Sequence, residues 1–349
     1  MRCRQPRAWT MSHPRHILLG PQASVHALPV CDHYSGVPAR MRKSLQLQAQ
    51  LTQEMGACIF DVTLDCEDGA ATGAELEQAR TVTDLLHEFQ SPSADQGGKV
   101  RIGVRLHSVD HAAFALDVQT IVGGAAAQIS FVMLPKLESR AQVDQALAHI
   151  DPQADGIRLP IHVLIESPAA LHQVFDIAAH SRVQSISFGL MDFVSAHGGA
   201  IPASAMALGG PEEALDQFHH PLVLRAKMEI ASACHAHGKV PSHCVVTELR
   251  DTVAIEAAAR LAAQAFGFTR MWSIHPNQIR PILRGFAPSA DEVEQAAAIV
   301  HAAAQQDWAP IAVDGQLHDR ASYRYFWQVL ERAHRTAVVL PLAVRHYFA

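Results

Sequence analysis

Two carboxylates stand directly after strongly apolar segments of this sequence. Glu166 follows "IHVLI", and Asp192 follows "SISFGLM". Carboxylates at the edge of a packed core are unfavourable unless a cation offsets their charge, because each desolvated, unpaired ion costs several kcal/mol. Two carboxylates with few competing nitrogen or sulfur donors suit a hard cation that keeps waters and takes its remaining ligands from a substrate. The pattern predicts a Mg²⁺ site held by Glu166 and Asp192, with Mn²⁺ as the alternative metal.

Charged and polar residues also follow the other apolar segments. In chain order they are Asp65, Glu67, Asp68, Arg105, His107, Lys136, Glu138, His243, His275 and Asn277. Each has an ordinary structural alternative when taken alone: an acid after a strand often caps a helix, Arg105 could pair with Glu67, and Lys136 could pair with Glu138 or Glu166. The repetition after several different segments indicates a shared site, because independent strands deliver these groups to one place.

The segments that carry these residues predict the fold. Eight short apolar runs recur at residues 25–30, 58–65, 100–107, 129–136, 161–167, 185–192, 239–245 and 271–276, with amphipathic helical patterns between them. Nearly continuous Val, Ile, Leu and Phe is typical of parallel strands that are covered on both faces. Eight strand–helix units within roughly 250 residues predict an α/β fold, a (β/α)₈ TIM barrel. An open doubly wound sheet is the alternative, disfavoured because no G-x-G-x-x-G loop follows the first strand.

The chain divides into three parts on this interpretation. Residues 1–20 are predicted to be a disordered extension, 21–288 the catalytic barrel, and 289–349 a helical C-terminal segment that begins with Ser289 as N-cap. A Gly-, Ala- and Pro-rich insertion at 196–220 follows the sixth strand. Long loops at that end of a barrel usually belong to the active site, so the insertion is a candidate lid.

Composition excludes several classes of function. The net charge of −6, without basic runs, argues against a nucleic-acid partner. No apolar stretch approaches the roughly 20 residues that span a bilayer, so no membrane partner is expected. Six scattered cysteines without a Cys-x-x-Cys pair favour a reducing, cytoplasmic location and argue against a thiolate zinc site.

The strand-end motifs taken together resemble the citrate lyase β-subunit-like branch of the HpcH/HpaI aldolase and citrate lyase family. The matching elements are "LDCEDGA", "VRLH", "LPKLES", "VLIESPAAL", "SFGLMDF" and "RDTVAIEAAARLAAQAFGFTRMWSIHPNQI", in this order between Asp61 and Ile279. Six ordered motifs form a specific signal, although each would be weak alone.

The resemblance implies a Mg²⁺-dependent carbon–carbon lyase that cleaves or forms a 3-hydroxy dicarboxylic acyl thioester, such as citramalyl-, malyl- or citryl-CoA. It implies the following site residues: Arg105, Glu67, Asp68 and Asp319 as catalytic groups, Glu166 and Asp192 as metal ligands, and Arg105, His107, Lys136 and Pro276 as substrate-binding groups. Asp319, in "GQLHD", matches an acid/base aspartate that many relatives supply from a neighbouring subunit; its alternative role is a helix N-cap. A homo-oligomer, trimer or hexamer, follows from the same resemblance.

Two departures leave the substrate open. The segment "LPVCDHYSGVPARMRKSLQLQ" lacks the Arg-bearing strand and Pro-Gly turn with which relatives usually begin, and His107 stands where relatives usually have Asn. The alternatives are an aldolase that releases pyruvate from free 4-hydroxy-2-oxo acids, and a barrel that binds a metabolite or a partner protein without turnover.

Overall fold

A closed barrel of eight parallel strands forms the larger part of the protein, seen in a computed structural model that describes residues 13–20, 28–68, 73–89, 100–209 and 215–348. The strands are β1 Cys31–Ser35, β2 Phe60–Asp65, β3 Ile102–Arg105, β4 Phe131–Leu134, β5 Ile161–Ile165, β6 Val183–Phe188, β7 Val240–His243 and β8 Arg270–Ser273. Each strand pairs with the next, and β1 also pairs with β8, which closes the barrel. The predicted TIM barrel is therefore confirmed.

The first strand lies later in the chain than the sequence predicted. Residues 25–30 were expected to form it, but β1 occupies Cys31–Ser35, and residues 25–27 lie outside the described part. The segment "CDHYS" is less apolar than its neighbours because Asp32 and Tyr34 alternate with residues that pack outward. Such alternation identifies a strand with two different faces, one of which is polar here.

Helices follow the strands around the barrel and continue into the C-terminal segment. They are α1 Pro14–Leu19, α2 Pro38–Met55, α3 Glu75–Glu88, α4 Phe114–Asp117, α5 Gly123–Ala125, α6 Arg140–Gln153, α7 Pro168–His172, α8 Val174–Ala178, α9 Leu190–Ser195, α10 Pro221–Ala236, α11 Thr252–Phe266, α12 Pro276–Phe286, α13 Ala290–Gln305, α14 Arg320–Arg335 and α15 Leu342–Arg345. A π-helical turn, Val118–Val122, joins α4 to α5. None of the helices in the described ranges is both long and apolar enough to cross a membrane.

The interior of the barrel combines an apolar cluster with a buried charge network. Phe131, Met133, Leu164 and Trp272 form the cluster, and Gly103 on β3 leaves room for the Phe131 ring, to which a Cβ would approach within 2.1 Å.

The charge network is centred on Arg270, which pairs with Asp61 at 2.6 Å and Asp32 at 2.9 Å. Arg101 contacts the other oxygen of Asp61 at 2.7 Å, and Thr63 donates to Asp32 at 2.7 Å. Barrel interiors are usually filled by branched apolar side chains, so these ions must compensate one another to remain buried.

The chain separates into two compact units, Leu28–Phe286 and the combination of residues 1–27 with 287–349. In the second unit α1 packs with α13 and α14 through Leu18, Leu19 and Trp327, and Arg15 pairs with Glu331 at 2.5 Å. The disorder predicted for residues 1–20 is therefore wrong for Pro14–Leu19, which is a helix because its apolar residues have a core to pack against; residues 1–12 lie outside the described ranges.

The start of α13 agrees with the sequence. Ser289 caps the helix in a capping box with Glu292, whose side chain returns to the Ser289 backbone N–H. The antiparallel pair β9 Ile311–Val313 and β10 Gln316–His318 then leads into α14. This small hairpin was not foreseen.

Candidate active site

Arg105, the last residue of β3, is the centre of a charge cluster at the C-terminal mouth of the barrel. Its Nε donates to Asp65 Oδ1 at 2.5 Å, and Nη1 lies 2.8 Å from Glu67 Oε2. Its Nη2 donates to Asp68 Oδ2 at 2.8 Å and to the Tyr34 hydroxyl at 2.7 Å. The guanidinium is buried and held from several sides, which fixes its orientation. The predicted pairing of Arg105 with Glu67 is present, as one contact among these.

Asp65 holds the turn that presents the other two acids. Its carboxylate accepts the backbone N–H groups of Glu67 and Asp68, both at 3.1 Å, and the Tyr34 hydroxyl donates to it. The alternative role for these acids was a capped turn leading into the following helix. Asp65 does cap this turn, but α3 itself has Ala74 at its N-cap without a side-chain cap. The turn therefore places Glu67 and Asp68 at the mouth, where both contact Arg105.

Lys136 links the acids after β2 to Glu166 after β5. Its Nζ lies 2.8 Å from Glu67 Oε1, and its backbone N–H donates to Glu166 Oε2 at 3.0 Å. Lys136 has φ +49°, a conformation that costs energy in a residue with a side chain and is common at functional sites. The side-chain pairing expected with Glu138 or Glu166 is wrong, since Glu138 instead accepts from Ser167 at 2.8 Å.

Glu166 is a buried carboxylate that other acids face. Burial, together with the charges of Glu67 and Asp192, raises the pKa of Glu166 to about 8. Gly189 lies directly against it, since a Cβ at that position would be 2.3 Å from Glu166 Cγ. Asp192 is exposed in the first turn of α9. The sequence had placed both acids at the mouth, and both lie there.

The balance of charge at this mouth fits a bound cation. Asp65, Glu67, Asp68, Glu166 and Asp192 supply five carboxylates, against the two cations Arg105 and Lys136. Burial also raises the pKa of Glu67 even though Arg105 and Lys136 contact it. Among the described residues no group of three or more His, Cys, Asp or Glu side chains is arranged to hold a metal alone. Two carboxylate ligands with several waters match Mg²⁺ and not a closed all-protein cage.

His107 lies beside this cluster and bonds to Asp117 of α4. Asp117 Oδ2 accepts both the backbone N–H of His107, at 2.9 Å, and its ring nitrogen Nδ1, at 2.7 Å. Burial alone would lower the pKa of His107, but the carboxylates of Asp117, Glu67 and Glu75 outweigh it and raise that pKa. The ring stacks on His111 with centroids 4.5 Å apart.

Other candidates occupy different surroundings. His243 faces outward from β7, stacked on Phe218 and edge-on to Phe268, so its expected place at the mouth is wrong. Pro276 is the first residue of α12 and is exposed. The N-cap role weighed for Asp319 is confirmed at the start of α14, where its side chain accepts from the backbone of Ala321 and Ser322.

The β8 side of the mouth is held by Gln278, which sequence reasoning missed. Its Oε1 accepts from the backbone N–H groups of Ile274 and His275, at 2.9 and 3.2 Å. Its Nε2 donates to the carbonyls of Val246 and Glu248 at 2.8 Å. All four amide contacts thus tie the end of β7 to the end of β8.

The insertion after β6 is folded around Asp216 where the structure describes it. Asp216 accepts from the backbone of Gly209 and Phe218, at 3.0 and 2.8 Å, and from the His219 ring at 2.7 Å. Residues 210–214 of the predicted lid lie outside the described ranges. Its role as a lid stays a prediction.

Comparison with known proteins gives consistent similarities. A model of the family described as HpcH/HpaI aldolase/citrate lyase matches residues 46–276. The chain is 43% identical to a citrate lyase from Burkholderia xenovorans, with a TM-score of 0.77 to its crystal structure over 97% of this chain and 100% of that one. It is 28% identical over 299 residues to the L-malyl-CoA/beta-methylmalyl-CoA lyase of Cereibacter sphaeroides, which covers 81% of this chain and 90% of that protein.

A more distant structure shares the fold. CitE from Mycobacterium tuberculosis, solved in complex with magnesium, acetoacetate and coenzyme A, is 22% identical with a TM-score of 0.64. The match covers 88% of this chain and 98% of that one.

Proposed function

Because the chain belongs to the HpcH/HpaI aldolase/citrate lyase family and is a carbon–carbon lyase, we propose that it cleaves or forms a 3-hydroxy dicarboxylic acyl-CoA. The products of cleavage are a 2-keto acid and an acetyl thioester. The observation that carries the proposal is the mouth of the barrel, where the oriented Arg105 faces the same space as the carboxylates Glu166 and Asp192. The names of the malyl-CoA lyase and of the CitE complex support the thioester and the metal.

Glu166 and Asp192 are the proposed ligands of Mg²⁺, with Mn²⁺ as the alternative. When bound, such an ion polarises the oxygen atoms of the keto-acid half and fixes their geometry. Glu166 must be deprotonated to bind it, which the raised pKa opposes in the metal-free protein. Glu67 and Asp68 complete the anionic surroundings, and Glu67 is held by both Arg105 and Lys136.

Arg105 is the proposed stabiliser of negative charge on the reacting oxygen. A fixed donor in a site of low polarity contributes most where charge develops, because it needs no reorganisation during the reaction. Its Nε is anchored to the fully buried Asp65, whereas the Asp68 side chain on Nη2 is 64% exposed. A substrate oxygen can therefore displace Asp68 more readily than Asp65, and would then accept the hydrogen bond that Nη2 donates to Asp68.

Lys136, His107 and Pro276 are the proposed substrate-binding groups around this centre. The Lys136 side chain is about half exposed, so it can reach a carboxylate that enters from solvent. Asp319 is the proposed acid/base group, acting from a neighbouring copy in a trimer or hexamer. One oxygen of its carboxylate, Oδ1, accepts the two capping bonds, which leaves Oδ2 for a proton.

The test measures keto-acid release from malyl-, citramalyl- and citryl-CoA, and from a free 4-hydroxy-2-oxo acid, with Mg²⁺ or with a chelator. We expect Mg²⁺-dependent turnover of at least one thioester and its loss in Glu166→Gln and Arg105→Gln. Glu138→Gln is the matched control, since this carboxylate lies on the same rim but bonds to Ser167. If only the free acid is cleaved, the protein is a pyruvate-releasing aldolase and not a thioester lyase.

A further inference from the structure

The pair His107 and Asp117 has the geometry of a base held by an orienting carboxylate. Asp117 is completely buried, and its Oδ2 receives both the backbone N–H and the ring Nδ1 of His107. These two contacts to one oxygen fix the rotation of the imidazole and place its proton on Nδ1. The other nitrogen, Nε2, is then the basic one.

Two observations place the His107 side chain near the mouth. His107 lies two residues beyond Arg105, the last residue of β3, and Leu106 between them packs into the core. The carboxylate of Glu67, which contacts Arg105, also raises the pKa of His107. Within the described ranges, no side chain or backbone group makes a hydrogen bond to His107 Nε2, whereas Nδ1 is fully used.

We propose that His107, positioned by Asp117, is the base that removes the hydroxyl proton of the substrate when the carbon–carbon bond breaks. The inference rests on the proposed lyase function and assigns to His107 a step beyond substrate binding. Asp117 does not touch the substrate and is a positioning residue. A base–orienter pair next to an anchored oxyanion donor is the arrangement that general base catalysis requires.

The step conserves atoms and charge. Nε2 of His107 accepts the proton of the C3 hydroxyl, and the O–H electron pair becomes the second bond of the keto-acid carbonyl. The C2–C3 bond breaks, and its electron pair remains on the acetyl thioester as an enolate. Protonation of that enolate carbon by a second acid, the role proposed for Asp319, gives the acetyl thioester. The imidazolium then releases its proton to solvent.

The groups that face His107 set the direction of its pH dependence. They are the acids Asp117 on α4, Glu67 after β2 and Glu75 at the start of α3, whereas the exposed His111 stacks on the ring without being among the charges that shift this pKa. The acids dominate and raise its pKa above the ordinary value of about 6.5. The rate as kcat/KM should therefore fall below a midpoint that lies above pH 6.5.

The experiment compares two reactions in the full-length protein with Mg²⁺. One is cleavage of the thioester that the wild type turns over, as a function of pH. The other is exchange of acetyl-CoA methyl hydrogens in D₂O with a bound keto acid, which needs the enolate step but not the hydroxyl proton. The variants are His107→Asn, whose amide can still donate to Asp117, Asp117→Asn, and His111→Asn as the matched imidazole control.

At saturating Mg²⁺, which keeps Glu166 deprotonated, we expect His107→Asn to lower kcat for cleavage by roughly 10²–10⁴-fold, to lose the acidic limb of the pH profile, and to keep methyl exchange. Asp117→Asn should move that limb to lower pH, and His111→Asn should resemble the wild type. Unchanged kcat and pH profile in His107→Asn would overturn the inference while leaving the lyase function intact. Loss of both reactions in His107→Asn would also overturn it, because a structural role would then suffice. A wild type without turnover of any thioester would remove the proposed function and this inference together.

Discussion

Asp65 accepts the Nε hydrogen of Arg105 at 2.5 Å and, on the same carboxylate, the backbone N–H groups of Glu67 and Asp68 at 3.1 Å. One fully buried side chain therefore fixes both the cation of the mouth and the turn that presents its acids. Arg105 cannot rotate without breaking a buried charged bond, so its orientation is set before a substrate arrives. Such preorganisation is the source of its expected effect on the transition state.

Replacing Asp65 by Asn tests whether Arg105 must be held in its orientation by Asp65 or whether its positive charge at the mouth is enough. The variant keeps the volume but loses the anionic partner of a buried guanidinium, which we expect to cost about 3–5 kcal/mol of unfolding free energy. It should also lower kcat for thioester cleavage more than it changes KM. Chemical denaturation and steady-state kinetics measure the two effects. Asp68→Asn is the control, because that carboxylate is mostly exposed and its loss should cost under about 1 kcal/mol; equal effects from both variants would contradict the role given to Asp65.

The raised pKa of Glu166 makes the stability of the metal-free protein depend on pH. The folded state holds a proton on this carboxyl up to about pH 8, whereas the unfolded chain releases it near its ordinary value. Between these two pKa values the folded state binds more protons, so the free energy of unfolding falls as the pH rises.

Glu166→Gln removes this penalty and should stabilise the metal-free protein at pH 8 by about 2–5 kcal/mol, with little difference at pH 4.5. Added Mg²⁺ should stabilise the wild type and not the variant. Urea unfolding at both pH values, with and without Mg²⁺, measures these differences. Glu138→Gln is expected to show neither effect; a Mg²⁺ response that persists in Glu166→Gln would exclude this carboxylate as a ligand.

Gly189 should be required for the position of Glu166. A Cβ there would lie 2.3 Å from Glu166 Cγ and 2.7 Å from its Oε1, so Gly189→Ala must displace the carboxylate. We expect Mg²⁺ affinity, measured by calorimetry, to fall by roughly 10–100-fold, the range found when groups that orient metal ligands are lost.

The double variant Gly189→Ala with Glu166→Asp provides the matched test. The shorter carboxylate makes room for the new methyl group, so the two substitutions should be less harmful together than the sum of their separate effects. Strict additivity would show that Gly189 does not act through Glu166.

The barrel and most of the mouth could be predicted because their signals are local. An apolar run followed by an acid is visible for Glu166 and Asp192, and seven of the eight strands overlap the predicted segments. Tyr34 was missed because β1 was placed too early, although the alternation of Asp32 and Tyr34 in "CDHYS" would have identified a strand with a polar inner face. No local signal exists for Asp117, which reaches His107 from a different element.

The outward direction of His243 has a similar cause. It shares the region between β7 and α10 with Lys227, whose Nζ donates to the Gln217 carbonyl at 2.8 Å and lies 3.8 Å from the Phe218 ring centroid. A histidine at a strand end can face either side, and this one faces the region that also holds the buried lysine, 16 residues earlier in the chain. The sequence pattern alone does not predict which side chains from different elements become neighbours.

Lys227 should impose a pH dependence opposite to that of Glu166. Burial lowers its pKa to about 8, so between about pH 8 and its ordinary pKa the unfolded chain binds more protons than the folded protein. The free energy of unfolding therefore rises with pH in this window. The stability of Lys227→Met relative to the wild type should fall by up to about 3 kcal/mol between pH 8 and 10.5. Unfolding curves across this range test it, with the exposed Lys43→Met as a control that should show no such trend.

Asp319 allows its two roles to be separated by the choice of substitution. Asp319→Ser keeps a side chain that caps α14, whereas Asp319→Ala removes the cap and should cost about 1 kcal/mol of unfolding free energy. If the carboxylate also protonates the enolate, both variants should lose methyl hydrogen exchange of acetyl-CoA, although only the Ala variant is less stable. Thermal unfolding and mass spectrometry in D₂O measure the two properties. Exchange at the wild-type rate in Asp319→Ser would reduce Asp319 to a helix cap and leave the enolate proton to a different group.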